Sequence, residues 1–348
     1  MPAPAFAQHT PITISGDVKG SVFGNGTQPD CASPPMTATV TGYSVIINSG
    51  GKVTGTVDGG WATNSGGDAS ATGNSVTIND GEVNGQVDGG YAGATGSSTV
   101  TGNFVTIKGG TVSGNIYGGF VSGTGSATGN IVTITATGKT YQNIYGGNTG
   151  SGTDNRFTGN TLNLAANNTS INSVQNFEFI NFTSAGNAGI ATLDTTPTGA
   201  TGTPLVKLNI GTNDINFDGI IVGNTDNSGK WGGIEKTGTG TLTLSGDSST
   251  YAGSTTITAG TLALTSTAQL GGNVTTAGAA LTVEQGAAIN GDLNATGRHN
   301  EFLGAGRREK RRYYVESNWY GGYYRLNRQC GLRRSKFPAA TGQSDKTY

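Results

Sequence analysis

Gly73-Asn74-Ser75-Val76-Thr77-Ile78 and Gly102-Asn103-Phe104-Val105-Thr106-Ile107 are one phrase written twice. It returns as Gly129-Asn130-Ile131-Val132-Thr133-Ile134 and, more loosely, as Gly159-Asn160-Thr161-Leu162-Asn163-Leu164. The apolar-polar-apolar triplet inside it also stands earlier, as Ile12-Thr13-Ile14 and Val45-Ile46-Ile47. The triplets open at Ile12, Val45, Val76, Val105 and Val132, so the interval between them shortens evenly along the chain. A period near 30 with short alternating runs marks a solenoid, in which one unit cannot bury its apolar face until the next stacks on it. Period-2 alternation puts Val76 and Ile78 on one face and Thr77 on the other.

Each triplet is followed by a second apolar pair: Val18/Val22, Val53/Val57, Val83/Val87, Val112/Ile116 and Thr140/Ile144. A spacing of four reads as one face of a single strand. Both runs then point inward, and stacked units build continuous Val/Ile ladders. Gly-Asn before the triplet reads as a turn, since both residues tolerate positive φ. The fold class expected is all-β, a parallel β-helix, right-handed by the usual crossover rule. Composition agrees: Gly is 61 of 348 residues and charged residues only 12%, yet the β-branched residues keep a fixed phase, which disordered chains do not do.

The second run ends in another repeated phrase: Val57-Asp58-Gly59-Gly60-Trp61, Val87-Asp88-Gly89-Gly90-Tyr91, Ile116-Tyr117-Gly118-Gly119-Phe120 and Ile144-Tyr145-Gly146-Gly147-Asn148. Stacking aligns Trp61, Tyr91 and Phe120 into an aromatic column, the candidate ligand-binding residues. Such a strip suits flat sugars, and equally it stabilises a solenoid by ring-on-ring contact, the reading the residue pattern favours. The stretches from Ala62 to Thr72 and Ala92 to Thr101 read as surface loops of varying length. Asp58 and Asp88 take equivalent places on neighbouring units. Clustered carboxylates serve polysaccharide-cleaving β-helices, but no Lys or Arg repeats beside this pair, so a solvated row is expected and no catalytic residue is assigned. No metal site and no cofactor are expected.

The period fades between about Val174 and Lys230 and order returns at Gly233. Lys236-Thr237-Gly238-Thr239-Gly240-Thr241-Leu242-Thr243-Leu244-Ser245-Gly246, then Thr250-Tyr251-Ala252-Gly253 and Gly260-Thr261-Leu262, strongly resemble the autotransporter-associated β-strand repeat of Gram-negative autotransporter passenger domains. The close resemblance runs from Gly233 to Leu262, with a looser continuation to Gly297. It implies an exported β-helical passenger carried through the outer membrane by a C-terminal β-barrel. Gly246-Asp247-Ser248 looks like a serine-protease nucleophile turn, but the only histidines are His9 and His299, and a triad needs a general base.

The ends of the chain depart from that pattern. Ala5-Phe6-Ala7 has the form of a signal-peptidase site without the preceding basic and apolar regions, and reads as the remnant of an export signal. Residues 1–297 hold 8 Lys+Arg and 17 Asp+Glu, whereas residues 298–348 hold 12 and 4, and no barrel strands follow. A basic aromatic tail could bind nucleic acid or anionic lipopolysaccharide. The abrupt change favours a slipped reading frame instead, a truncated passenger with a poorly ordered tail, and no nucleic-acid partner is expected. Cys31 and Cys330 are a weak disulfide signal. The chain therefore divides into a signal remnant (1–8), a repeat β-helix (9–173), an irregular β region (174–232), the family repeat (233–297) and the tail (298–348). The function expected is a non-enzymatic surface adhesin or self-association rod, with glycans, a host surface or other copies of the chain as partners. A β-helix polysaccharide lyase or hydrolase, and a decayed gene product, are the alternatives.

Overall fold

A computed structural model describes residues 9–26, 37–149, 159–168, 170–196, 205–223, 232–296, 300–302 and 324–325. The signal remnant, Cys31, Cys330, His299 and nearly all of the basic tail lie outside the described residues. Within them the chain is all-β, and every strand pair is parallel except Asp292–Thr296 with Tyr324–Arg325. Strands of successive coils stack into long parallel sheets, the parallel β-helix that the triplets imply.

The triplets form the spine, a 13-stranded sheet. Val45, Val76, Val105, Val132 and Leu162 are register partners in turn, as are Ile47, Ile78, Ile107, Ile134 and Leu164. All ten are buried, so each ladder is continuous through the core. An 8-stranded flank sheet faces it, from Val22–Phe23 through Val57–Asp58 and Val87–Asp88 to Ile220–Val222. A fully buried aliphatic side chain contributes roughly 1.5–3 kcal/mol. Repeated in every coil, that term is what holds the rod together.

Three details differ from the pattern reading. The second apolar run is two strands in the early coils, Lys52–Val53 and Val57–Asp58, which belong to different sheets. The chain turns between them at Gly55, where a Cβ would meet the carbonyl carbon of Gly20 at 2.6 Å. Only at Thr140–Tyr145 do the two merge into one strand. The supposed loops after the Gly-Gly corners are also strands. Trp61–Asn64, Tyr91–Ala94, Phe120–Ser122 and Asn148–Thr149 form one 4-stranded sheet, and Thr39–Thr41, Ala69–Thr72, Ser98–Thr101 and Gly125–Thr128 another. Together they enclose a second, smaller core of Val40, Ala62, Ala69, Ala71, Ala92, Val100, Val121 and Ala127. The result is a thin fin attached along the rod.

The third detail is the asparagine of the repeated phrase. The positive φ belongs to its glycine neighbours, Gly73, Gly102, Gly129 and Gly159. Asn74, Asn103, Asn130 and Asn160 are instead wholly buried, in the neck between the two cores. The described residues between 174 and 232 keep the architecture as well. Phe179–Phe182 and Leu205–Asn209 continue the spine, and Ile190–Asp194 and Ile220–Val222 continue the flank sheet. Its core mixes Phe177, Phe182 and Phe217 among the Val, Ile and Leu side chains, which blurs the repeat in the sequence.

Candidate functional site

The root of the fin gathers the residues of chemical interest, and the Gly-Gly corner explains why they meet there. The first glycine faces the next coil's backbone: a Cβ on Gly89 would run into the Gly118 carbonyl oxygen, and one on Gly118 would lie 2.5 Å from the Gly146 oxygen. The second glycine leaves room for the buried asparagine, since a Cβ on Gly90 would sit 2.7 Å from Asn103 Cγ. Glycine is required at both places by close approach.

The asparagines form a ladder. Asn103 Oδ1 accepts from the Asn74 backbone N–H at 2.8 Å and from Asn74 Nδ2 at 3.0 Å. Asn103 Nδ2 donates to the Ala71 carbonyl at 3.0 Å and to Asn130 Oδ1 at 3.1 Å. Asn130 repeats the pattern toward Asn160 and Val100, its two Nδ2 bonds both at 3.3 Å. Each side chain thus ties its own coil to the next and the spine to the fin, satisfying amides that would otherwise be buried unpaired.

Outside the neck run two columns side by side. The inner one is Phe23, Asp58, Asp88, Tyr117 and Tyr145, register partners in that order. The outer one is Trp61, Tyr91 and Phe120, also in register. Trp61 and Tyr91 stack at 3.7 Å with 8° between planes, and Tyr91 and Phe120 at 5.7 Å with 14°. The columns touch at their ends, Phe23 edge-on to Trp61 at 4.9 Å and Tyr117 edge-on to Phe120 at 5.1 Å. Each such pair adds roughly 0.5–1.5 kcal/mol. The outer rings are half-buried, with Trp61 and Tyr91 face to face.

Asp58 and Asp88 are not a solvated row. Both are wholly buried. Asp88 accepts from Gln86 Nε2 at 2.9 and 2.7 Å, whereas neither oxygen of Asp58 has a donor. Burial pushes Asp88 up to about 7, and burial together with the Asp88 carboxylate raises Asp58 well above the ordinary carboxylate range. Being sealed, the pair cannot reach a polymer substrate.

A second ordered constellation lies in the Lys236 region. Lys236 is buried, and its Nζ donates to the carbonyls of Gly238, Gly240 and Ala259 at 2.8, 2.7 and 2.7 Å. All three ammonium protons are used, the third on the following coil. Burial lowers this amine to about 8, so it stays mostly charged at neutral pH. Tyr251 fills the interior of the corner, its hydroxyl donating to the Ser254 carbonyl at 2.7 Å. Ser248 Oγ accepts from the Ile221 backbone N–H at 2.8 Å, a structural place for the serine of the protease-like turn. Residues 234–264, which hold this constellation, match the family model of the passenger-associated-transport-repeat. The chain carries an autotransporter passenger repeat. In this copy of the repeat Lys236 folds back under its own turn, and Tyr251 fills the corner beside Gly253, where a Cβ would meet the Gly232 backbone and the Tyr251 ring. No curated protein and no solved structure matches the chain.

Proposed function

We propose that this chain is a non-enzymatic passenger that works outside the cell as an adhesive or self-associating rod, with the fin as its contact surface. The observation that carries the proposal is the fin itself. In the passenger-repeat region the spine steps from Ile234 to its register partners Thr255, Val274 and Leu293 in three coils. Three fin-bearing coils carry it much further, from Val45 through Val76 and Val105 to Val132. Each fin-bearing coil is thus about half as long again as a coil of the plain rod. The surplus builds a separate core that the rod does not need. Extra structure repeated at the surface of a rigid scaffold suits contact with an extended partner.

The partners that fit are glycans, a host surface or further copies of the chain, met by the ring edges of Trp61, Tyr91 and Phe120. Export to the cell surface through an outer-membrane β-barrel belongs to the same reading and is supported by the passenger repeat. The sealing of Asp58 and Asp88 supports a role other than polysaccharide cleavage.

The test is binding of the full chain to a glycan array and to host cells, with sedimentation to read self-association. Binding or association should drop at least tenfold in a Trp61→Ala/Tyr91→Ala/Phe120→Ala variant that keeps its β circular-dichroism signal. A monomer that binds neither glycans nor cells, or one that cleaves a polysaccharide, would overturn the reading.

A further inference from the structure

Among the described residues, three buried polar atoms without a hydrogen-bond partner sit where the fin joins the rod: Asp58 Oδ1, Asp58 Oδ2 and Trp61 Nε1. Asp58 and Asp88 face each other as register partners on adjacent parallel strands, which lie about 4.8 Å apart. Two carboxylates held at that distance and wholly buried cannot both be ionised without a large electrostatic cost.

The groups packed around the pair leave little else to neutralise it. Gln86 Nε2 bonds both oxygens of Asp88 and offers nothing to Asp58. On the next coil stands Tyr117, whose hydroxyl accepts from Asn115 Nδ2 at 3.1 Å and which is itself held in its neutral form by burial. Beyond it is Tyr145, also neutral. On the preceding coil is Phe23, and in the outer column Trp61 and Tyr91. The nearest ion pair along the coil, Lys52 with Glu82 at 2.8 Å, is closed on itself at the surface. Among the described residues no lysine, arginine or histidine bonds to either aspartate.

We propose that Asp58 and Asp88 hold one proton between them, and that this shared proton makes the root of the fin pH-sensitive, tight in mildly acidic medium and loosened as the medium turns alkaline. An O–H on Asp58 donates to the Asp88 carboxylate, both of whose oxygens already accept from Gln86 Nε2. That arrangement satisfies an oxygen of Asp58 and leaves one charge in place of two. Loss of the proton would put two negative charges directly before the Gly59-Gly60 and Gly89-Gly90 corners, from which the Trp61 and Tyr91 strands depart.

The sign follows from linkage. Both carboxyls titrate near 3.8 when unfolded and higher when folded, Asp88 at about 7. Between those values the folded chain binds more protons than the unfolded one. Stability is therefore greatest below about pH 4 and declines as pH rises: through about 7 Asp88 gives up its proton and leaves the pair holding one, and at higher pH the Asp58 proton, held well above the ordinary carboxylate range, is lost in turn.

The experiment uses the full chain, in EDTA and separately with added calcium. Thermal unfolding and amide exchange are followed from pH 4 to pH 9, beside infrared spectra of the folded protein. The melting temperature should fall with rising pH, and amides of the fin root should exchange faster than the intrinsic pH effect allows. A protonated-carboxyl stretch should persist at pH 6. Asp58→Asn supplies a permanent donor to Asp88 and should cut the pH slope at least in half while removing that infrared band. A flat wild-type profile would overturn the proposal, as would an unchanged slope in Asp58→Asn. Calcium-dependent stability abolished by EDTA would also overturn it and assign the pair to a metal. Because the infrared band is read on the wild-type chain, a variant that fails to fold leaves the test decisive.

Discussion

Replacing Asn103 with alanine removes four hydrogen bonds from the most enclosed part of the neck. Two are donated by its Nδ2, to the Ala71 carbonyl and to Asn130 Oδ1, and two are accepted by its Oδ1, from the backbone and the side chain of Asn74. The Asn74 side chain keeps its bond to the Val40 carbonyl and the Asn130 oxygen keeps the Asn103 backbone N–H, so those two partners are only partly deprived. The Asn74 backbone N–H loses the acceptor that the ladder gives it in a fully buried site. An orphaned buried amide costs about 1–3 kcal/mol, and each further bond about 1 kcal/mol net. The sum is about 4–6 kcal/mol, a large share of the roughly 5–15 kcal/mol that holds a domain folded. Asn79→Ala is the matched control: its Nδ2 reaches Asn48 Oδ1 at 2.7 Å in a partly exposed ladder, where water replaces the lost partner, and it should cost at most about 1 kcal/mol. Urea unfolding of both variants measures the difference. If Asn103→Ala shifts the midpoint no more than Asn79→Ala does, the buried ladder is not what ties the fin to the rod.

Two further substitutions follow from the same geometry. Gly89→Ala should destabilise by about 3 kcal/mol or more in urea unfolding, because its Cβ strikes the Gly118 carbonyl oxygen. Gly66→Ala, with nothing nearer than Asn64 Oδ1 at 3.9 Å, should stay within about 0.5 kcal/mol of wild type. Lys236→Met keeps the apolar stem but strands three carbonyls across two coils, and should lower stability by about 2–4 kcal/mol, with proteolysis starting within residues 234–264.

The inward ladders of the spine were legible in the sequence because period-2 alternation and a constant phase leave one register that buries Val76 and Ile78 together. The aromatic column was legible for the same reason: Trp61, Tyr91 and Phe120 share one distance from their Gly-Gly corners. Asn103 was not, since asparagine beside glycine has the local signature of a turn, and only tertiary contact shows that its amide is spent on the neighbouring coils. The aspartates misled in a similar way. A charged residue before Gly-Gly reads as solvated, and it takes the outer column and the neighbouring coils to show that water is shut out. The fin strands escaped notice because Ala, Gly, Ser and Thr are poor in the large apolar residues that announce a strand. Their core is built from alanine and valine, small enough for two sheets to close on each other. Between residues 174 and 232 the coil length varies: the step from Ile180 to its partner Leu208 is far longer than the one before it, from Leu162 to Ile180. No fixed period can be read across such a change.

The proposal at stake is that this rod, which carries a passenger repeat, folds on the outside of the cell. It is tested most directly by placing the full chain between an export signal and an outer-membrane β-barrel in a Gram-negative host, and treating whole cells with a non-specific protease. The account predicts that antibody reaches the chain on intact cells and that a large protease-resistant fragment spanning the spine and residues 234–264 survives. A chain that stays in the periplasm despite an inserted barrel, or reaches the surface and is digested to small peptides, would contradict it.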